Sequence, residues 1–435
     1  MENTVNKELL DFIYKSPTAW HTAENAAMIL KEAGYTELFE CEDYEIEPGK
    51  GYFVRRNGSA IIAFKVPEAD FHGFMIMAAH GDSPAFKIKC GPGVKAANAY
   101  VQLNVERYGG MICSSWMDRP LSAAGRVVIK ENGKIISKLI NIDRDLLLIP
   151  NVAIHMDRSA NEGKSFNANV DMLPLISTSD SENSFEKIIA AECGCKEEDI
   201  LSYDLFAYCR ERGSQWGGDN EFISSPRLDD LQCAYSCLRG FLEAEKSGSA
   251  PVCCIFDNEE VGSGTKQGAD STFLEDTLCR IFEAMGRDRK DFKRIISQSF
   301  MASADNAHAL HPNHPEYADR NDKTLINKGV VIKYNANQKY TTDAVSAAVF
   351  TEICARAGVP VQRFTNRADI PGGSTLGNIS TAHVSIDSVD IGLAQLAMHS
   401  AYETAGAKDT EYLIKAAKEF FSSEFKRCGE IIEIK

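Results

Sequence analysis

Val252-Cys253-Cys254-Ile255-Phe256-Asp257-Asn258-Glu259-Glu260-Val261-Gly262-Ser263 is an apolar run that breaks abruptly into acids and then into a glycine turn. A short, uninterrupted apolar stretch is the pattern of a strand buried on both faces, as in the centre of an α/β sheet. Two glutamates where such a strand ends are costly unless cations meet them. In open α/β sheets ligands gather at the carboxyl ends of strands, so this stretch predicts both the fold and the place of its site.

Working outward, Ser59 to Val66 and Phe74 to Ala79 are further buried-strand candidates, and the second delivers His80 at its end in His80-Gly81-Asp82-Ser83-Pro84. Leu228, Leu231, Tyr235, Leu238 and Leu242 fall at helical spacing and place a helix start at Asp229, within Arg227-Leu228-Asp229-Asp230. Phe273, Leu278, Ile281 and Phe282 indicate a helix after the acidic pair, and Leu413, Ala417, Phe421 and Phe425, spaced by four, a last one. The N-terminus reads as a helix around Leu9–Ile13, then a Thr18-capped helix closing near Gly34. After Gly91-Pro92-Gly93 the chain turns β-rich, with Asn132-Gly133 a strong hairpin signal between two apolar runs. The fold class expected is α/β, a mixed sheet sandwiched by helices, interrupted by a β-rich insert. Residues 1–90 and 226–435 would form the main domain and 91–225 the insert.

The chain has 435 residues with a net charge of −15, which disfavours nucleic acid and anionic membrane as partners. The charged first residues, Met1 to Glu8, and the absence of a long apolar run predict neither a secretory leader nor a membrane span, and hence a cytoplasmic protein. The 13 cysteines show no paired CxxC spacing and read as small buried hydrophobes in a reducing compartment, with Cys193-Gly194-Cys195 a loop coincidence.

Taken singly, a histidine or a Glu-Glu pair is more often structural than catalytic. Together, the motifs at His80, Asp229, Glu259-Glu260, Ser303-Ala304-Asp305-Asn306-Ala307-His308 and Ala397-Met398-His399-Ser400 hold two imidazoles and several carboxylates. A two-metal hydrolytic centre needs that inventory: a bridging carboxylate, and mixed His and carboxylate ligands on each side. Asp82, two residues beyond His80, could accept the second imidazole proton and fix the tautomer. His308, His311 and His314 could make a further metal site, but a cap beside Asp305 is the simpler reading.

On these motifs, from Ser16-Pro17-Thr18 to Ala397-Met398-His399-Ser400, the chain resembles the aspartyl aminopeptidase family of cytosolic two-zinc metallopeptidases. The resemblance implies that Asp229 bridges two divalent ions, His80 and Asp305 completing one site and Glu260 and His399 the other. Zinc is the default for this mixed set, with manganese or cobalt as replacements. Glu259 would then be the general base that takes the proton of the attacking water and gives it to the leaving amine. By the same resemblance the β-rich insert is a dimerisation domain, and His155, in Asn151-Val152-Ala153-Ile154-His155, stabilises the oxyanion in a neighbour's site. Lys333 matches a lysine near the substrate side chain. The assembly implied is a homo-oligomer, dimers building a dodecamer, acting on peptides.

Ile370-Pro371-Gly372-Gly373-Ser374-Thr375 departs from the family pattern at a segment expected to border the substrate, which bears on any preference for acidic first residues. Two rivals remain on sequence. One is a two-zinc carboxypeptidase or N-acyl amino acid deacylase on a related fold; the other is a non-catalytic shell protein, against which Glu259, with no ligand role, speaks.

Overall fold

The computed structural model describes residues 4–68, 71–179 and 184–435, so Met1–Asn3 of the charged N-terminal segment lie outside the described residues. Its largest sheet has nine strands in the order Thr36–Leu38, Gly51–Arg56, Ala60–Lys65, Ala250–Phe256, Phe74–His80, Phe300–Ala304, Asp387–Gly392, Val330–Tyr334 and Val361–Thr365. The four central strands, from Ala250–Phe256 to Asp387–Gly392, run parallel, while Ala60–Lys65 and Val330–Tyr334 flank them antiparallel. The sheet is therefore mixed.

Alternation along the strands supplies two cores. Met75, Met77, Ala79, Cys253 and Ile255 meet helices Leu228–Glu243, Ala344–Arg356 and Asp409–Ser422 on one face. Phe74, Ile76, Ala78, Val252 and Cys254 meet Phe273–Ala284 on the other. Every residue of Phe74–His80 and of Ala250–Phe256 is buried, as their uninterrupted apolar character requires. His80 lies beside Phe256 in register, so the two strand ends carry their polar continuations to the same edge.

The second sheet has six strands in the order Lys134–Asn141, Leu121–Glu131, Ile200–Cys209, Ala85–Ala96, Tyr100–Tyr108 and Leu175–Thr178, with its own core under helix Phe185–Cys193. Asn132 and Gly133, both at positive φ, make the two-residue turn expected of them, with Glu131 opposite Lys134. Strand pairing runs across positions 91 and 225. Gly91-Pro92-Gly93 lies inside Ala85–Ala96, where the register with Tyr100–Tyr108 slips between Ile88 and Gly93. Ser214–Trp216 and Phe222–Ser225 belong to a third sheet, through pairing of Phe222–Ser225 with Glu403–Gly406.

Phe425 is also reassigned. The last helix ends at Ser422, Ser423 is extended, and Phe425 opens a hairpin with Ile431–Ile434. A spacing of four cannot tell helix from strand when the side chain reaches the same core, and Phe425 packs on Phe300 at 5.3 Å. Among the described residues, no helix is long and apolar enough to cross a membrane. The cysteines are free thiols, and Cys41, Cys90 and Cys428 are exposed, not buried as expected; Gly194, between Cys193 and Cys195 and in the left-handed conformation, caps helix Phe185–Cys193.

Helices Leu228–Glu243 and Asp409–Ser422 approach closely at Gly240, where an added Cβ would lie 2.4 Å from Ala417 Cβ and 2.8 Å from the Lys418 nitrogen. Gly240→Ala should therefore destabilise the fold by roughly 1–3 kcal/mol in urea unfolding, although alanine is intrinsically the better helix former. A stabilised variant would show that the helices can part without cost.

Candidate metal centre

The ends of the central strands and the start of helix Leu228–Glu243 converge. His80 ends its strand, Glu259 and Glu260 follow Phe256 in a short 3-10 turn, and Asp305 follows Ala304. Asp229 and Asp230 depart from helical φ/ψ inside the first turn of Leu228–Glu243, and the peptide between them is cis. Arg227, Asn258 and His399 all have positive φ without being glycine, so the turns that present Asp229, Glu259 and His399 are conformationally costly.

Asp229 is at the centre. His80 Nε2 lies 3.7 Å from its Oδ1 and His399 Nε2 lies 3.3 Å from its Oδ2. Glu260 Oε2 is 3.4 Å from the same His399 nitrogen. Two clusters with metal-binding capacity result, His80 with Asp229, Asp230 and Asp305, and Asp229 with Glu260 and His399, the ligand atoms of each lying within 4.8 Å of one another. Asp229 belongs to both. Asp229 Oδ1, Asp230 Oδ1 and Glu260 Oε1 are buried without a hydrogen-bond partner, a costly state for carboxylate oxygens unless cations are to meet them. The set of imidazole nitrogens and carboxylate oxygens suits zinc or another borderline divalent ion.

The electrostatics are those of concentrated negative charge. Burial pushes the Glu259 carboxyl up to about 8, the pull of His80 opposing it and the charges of Asp305 and Asp82 adding to it. Burial and then Asp229 raise Glu260 well above the carboxylate range. Burial acts in the same direction on Asp229, but His399 and His80 outweigh it and hold that carboxyl low. Burial opposes charge on His80 too, yet Asp230 and Asp82 raise its pKa well above the usual value.

The residues expected from sequence separate into three groups. His80, Asp229, Glu260, Asp305 and His399 are brought together in the two clusters, and Glu259, adjoining Glu260 in the chain, is tied to the His80 motif by its amide hydrogen bond to Asp82. Asp82 stands behind His80, its Oδ1 3.4 Å from Nδ1, and also accepts from the Glu259 and Glu260 amides at 3.2 Å each. Lys333 is buried and its Nζ pairs with Asp305 at 3.3 Å, so it adjoins the cluster through a carboxylate. His155 is exposed, in the loop 142–174 that joins two strands of the second sheet, and belongs to neither cluster. His308 is outside the clusters as well. With Phe364, Ile370, Pro371 and Gly373 it lines a cavity of about 230 Å³, so the glycine-rich segment forms part of that wall.

Sequence reading missed Asp230 and Glu403. Asp230 is fully buried and its Oδ2 accepts the His80 amide at 3.1 Å. Its adjacency to Asp229 was the available signal. Glu403, also buried, accepts the Asp229 amide at 3.0 Å and the His399 amide at 2.6 Å, tying two distant motifs together. Burial and the charge of Asp229 push its carboxyl up to about 8. No local pattern marks it.

The family model for aminopeptidase I zinc metalloproteases (M18) matches residues 12–421. The chain belongs to this family. Among curated relatives, the probable M18 family aminopeptidase 2 of Clostridium novyi (strain NT) is 46% identical over 432 residues, 97% of this chain and 100% of the relative. Its namesake from Clostridium acetobutylicum is 47% identical over 424 residues, 96% and 98% of the two chains. Among solved structures, a chain of the cryo-EM complex of Ape4 and Nbr1 superposes with a TM-score of 0.93 at 37% identity, covering 96% of this chain and 85% of that one. The S. cerevisiae mApe1 dodecamer superposes at 0.83 with 26% identity, covering 95% of each chain. This M18 protein is a zinc metallo-aminopeptidase, a peptide hydrolase, and the carboxypeptidase, deacylase and shell readings are not favoured.

Glu403→Ala should leave the Asp229 and His399 amides without their shared acceptor. The expected result is about 1–3 kcal/mol lower stability and a roughly 10–100-fold weaker hold on zinc in chelator competition. Unchanged zinc affinity would reduce Glu403 to a packing residue.

Proposed function

We propose that the chain removes N-terminal residues from peptides at a co-catalytic centre of two divalent ions, zinc by default with manganese or cobalt as replacements. The observation that carries this reading is the placement of the two Asp229 oxygens toward two different imidazole nitrogens, with separate carboxylates on either side. His80 and Asp305 would hold one ion and Glu260 and His399 the other, with Asp229 between them; Asp230 is a further donor within reach of the first. When bound, such ions supply Lewis acidity and lower the pKa of water.

The chain's own contribution is proton transfer and positioning. Glu259 is not among the clustered ligand atoms, which leaves its carboxylate to take up a proton from the attacking water and return it to the leaving amine. Asp82 orients the His80 ring from behind. Lys333 offsets the charge of Asp305 and offers a cation to an acidic first residue, and the cavity beside His308 offers space for substrate. The free cysteines fit a cytoplasmic protein.

The domain reading is a catalytic part built on the nine-stranded sheet and a dimerisation part built on the six-stranded one. Supporting it, the loop that carries His155 exposes Val152, Ile154, Met156 and Val170. An exposed apolar group of this kind suits contact with another copy. A homo-oligomer, dimers building a dodecamer, follows from likeness to relatives such as the mApe1 dodecamer.

Two comparisons test the centre and the interface. Glu259→Gln should keep two ions per chain by elemental analysis yet lose several orders of magnitude in turnover, whereas Asp229→Asn should lose metal as well. A stoichiometry near one at full activity would sink the two-ion reading.

For the interface, His155→Ala should fold and bind metal but lose on the order of 10²–10³ in turnover as an oxyanion donor. Mixing it with Glu259→Gln chains should restore part of the activity, because an intact histidine and an intact base meet across one interface. Proven mixed dimers with no recovery would refute the shared site.

A further inference from the structure

Strand Tyr100–Tyr108 belongs to the six-stranded sheet, but its continuation leaves that sheet and runs against the metal centre. Tyr108 donates its hydroxyl proton to Asp82 Oδ2 at 2.6 Å and accepts from Asn258 Nδ2 at 2.9 Å. Asn258 cannot turn its amide over, because its Oδ1 already accepts from Thr265 at 2.8 Å and Gln267 at 2.7 Å. The single proton of Tyr108 is therefore committed to Asp82, whose other carboxylate oxygen lies 3.4 Å from His80 Nδ1 beside the nearer Asp82 carbonyl at 3.1 Å.

The next residues reach the second imidazole. Gly109, at φ +75°, lies so close to Glu260 that an added Cβ would sit 3.1 Å from the glutamate Cβ. Gly110 lies beside the His399 ring, where an added Cβ would fall 3.8 Å from Nδ1. The Ile112 amide donates to the His399 carbonyl at 3.0 Å, and Ser115 Oγ accepts the Ala401 amide at 2.9 Å. Ala401 is itself buried in the core of the six-stranded sheet.

A metal-binding imidazole needs an acceptor for its other nitrogen, which sets the tautomer and aims the ring. Here His80 is aimed by Asp82, braced by Tyr108, while Gly110 flanks the His399 ring and the Ile112 amide holds the His399 carbonyl, so one continuous segment serves both. We propose that Tyr108–Ser115 is a positioning element through which the six-stranded sheet sets the geometry and affinity of both metal subsites. Placement of that sheet, including any placement imposed by another copy, is thereby coupled to metal binding. The proposal rests on the metal-centre reading above.

The test uses the full chain and three variants, with zinc affinity from chelator competition and the visible absorption of the cobalt-loaded protein as readouts. Tyr108→Phe keeps the ring packed on Phe206, 5.4 Å between centroids, and removes only the hydroxyl. One binding step should weaken roughly 10–100-fold and the cobalt spectrum should change. Gly109→Ala, which crowds Glu260, should weaken the other step. Tyr203→Phe, which loses a hydroxyl bonded to the Lys89 carbonyl in the same sheet, is the control and should leave both readouts unchanged. Wild-type affinity and spectrum in Tyr108→Phe would overturn the proposal, as would an equal loss in Tyr203→Phe, which would mean general loosening of the sheet. If the unaltered chain took up no zinc or cobalt, the metal-centre reading itself would fail.

Discussion

The structure depends on one electrostatic constraint, the burial of several carboxylates around Asp229 with few cations of the protein's own. Asp229 and Asp230 are almost wholly buried, and Glu260 and Asp305 lie beside them. Desolvated like charges at such separations repel strongly, since the surrounding protein screens them far less than water does. Two imidazoles and Lys333 offset only part of this charge. The arrangement is unfavourable for a fold and favourable for divalent cations, which is what membership of a zinc metalloprotease family requires.

Much of the surrounding architecture serves to hold that charge in place. Parallel strands deliver their polar continuations to one edge, and the buried apolar residues along them anchor the edge rigidly. Left-handed backbone at Arg227, Asn258 and His399 turns ligand-bearing segments inward at a conformational cost that the packing must meet. Glu403 then gathers amides from the separate Asp229 and His399 motifs, and Asp82, beside His80, accepts both amides of the Glu259-Glu260 pair, so that ligands far apart in sequence are tied together by buried acceptors. Loss of one acceptor therefore disturbs more than one ligand.

The sheets have distinct tasks but are not independent. The nine-stranded sheet presents most of the candidate ligands, and the six-stranded sheet, with its separate core, braces them through Tyr108 and the residues after it. Ala401 makes the link mutual, since a residue two positions from His399 completes the second sheet's core. Gly91-Pro92-Gly93 looks like a junction but is an irregularity within a strand, and residues 214–225 pair back with Glu403–Gly406.

Local chemistry was sufficient for much of the molecule. Uninterrupted apolar runs ending in His80 and in Glu259-Glu260 determined the buried central strands and the edge at which polar groups collect, because each pattern has one low-energy placement. Asn132-Gly133 determined its hairpin through the positive φ that both residues tolerate. The end of the last helix was not decided locally, since Phe425 reaches the same core from a strand. Nor were the roles of Asp230, Glu403 and Tyr108, which arise only when groups far apart in the chain meet. The sequence by itself determined which residues could bind metal; only the tertiary structure decided which amides, carbonyls and hydroxyls hold them, because hydrogen bonds between distant segments have no signature in the order of residues.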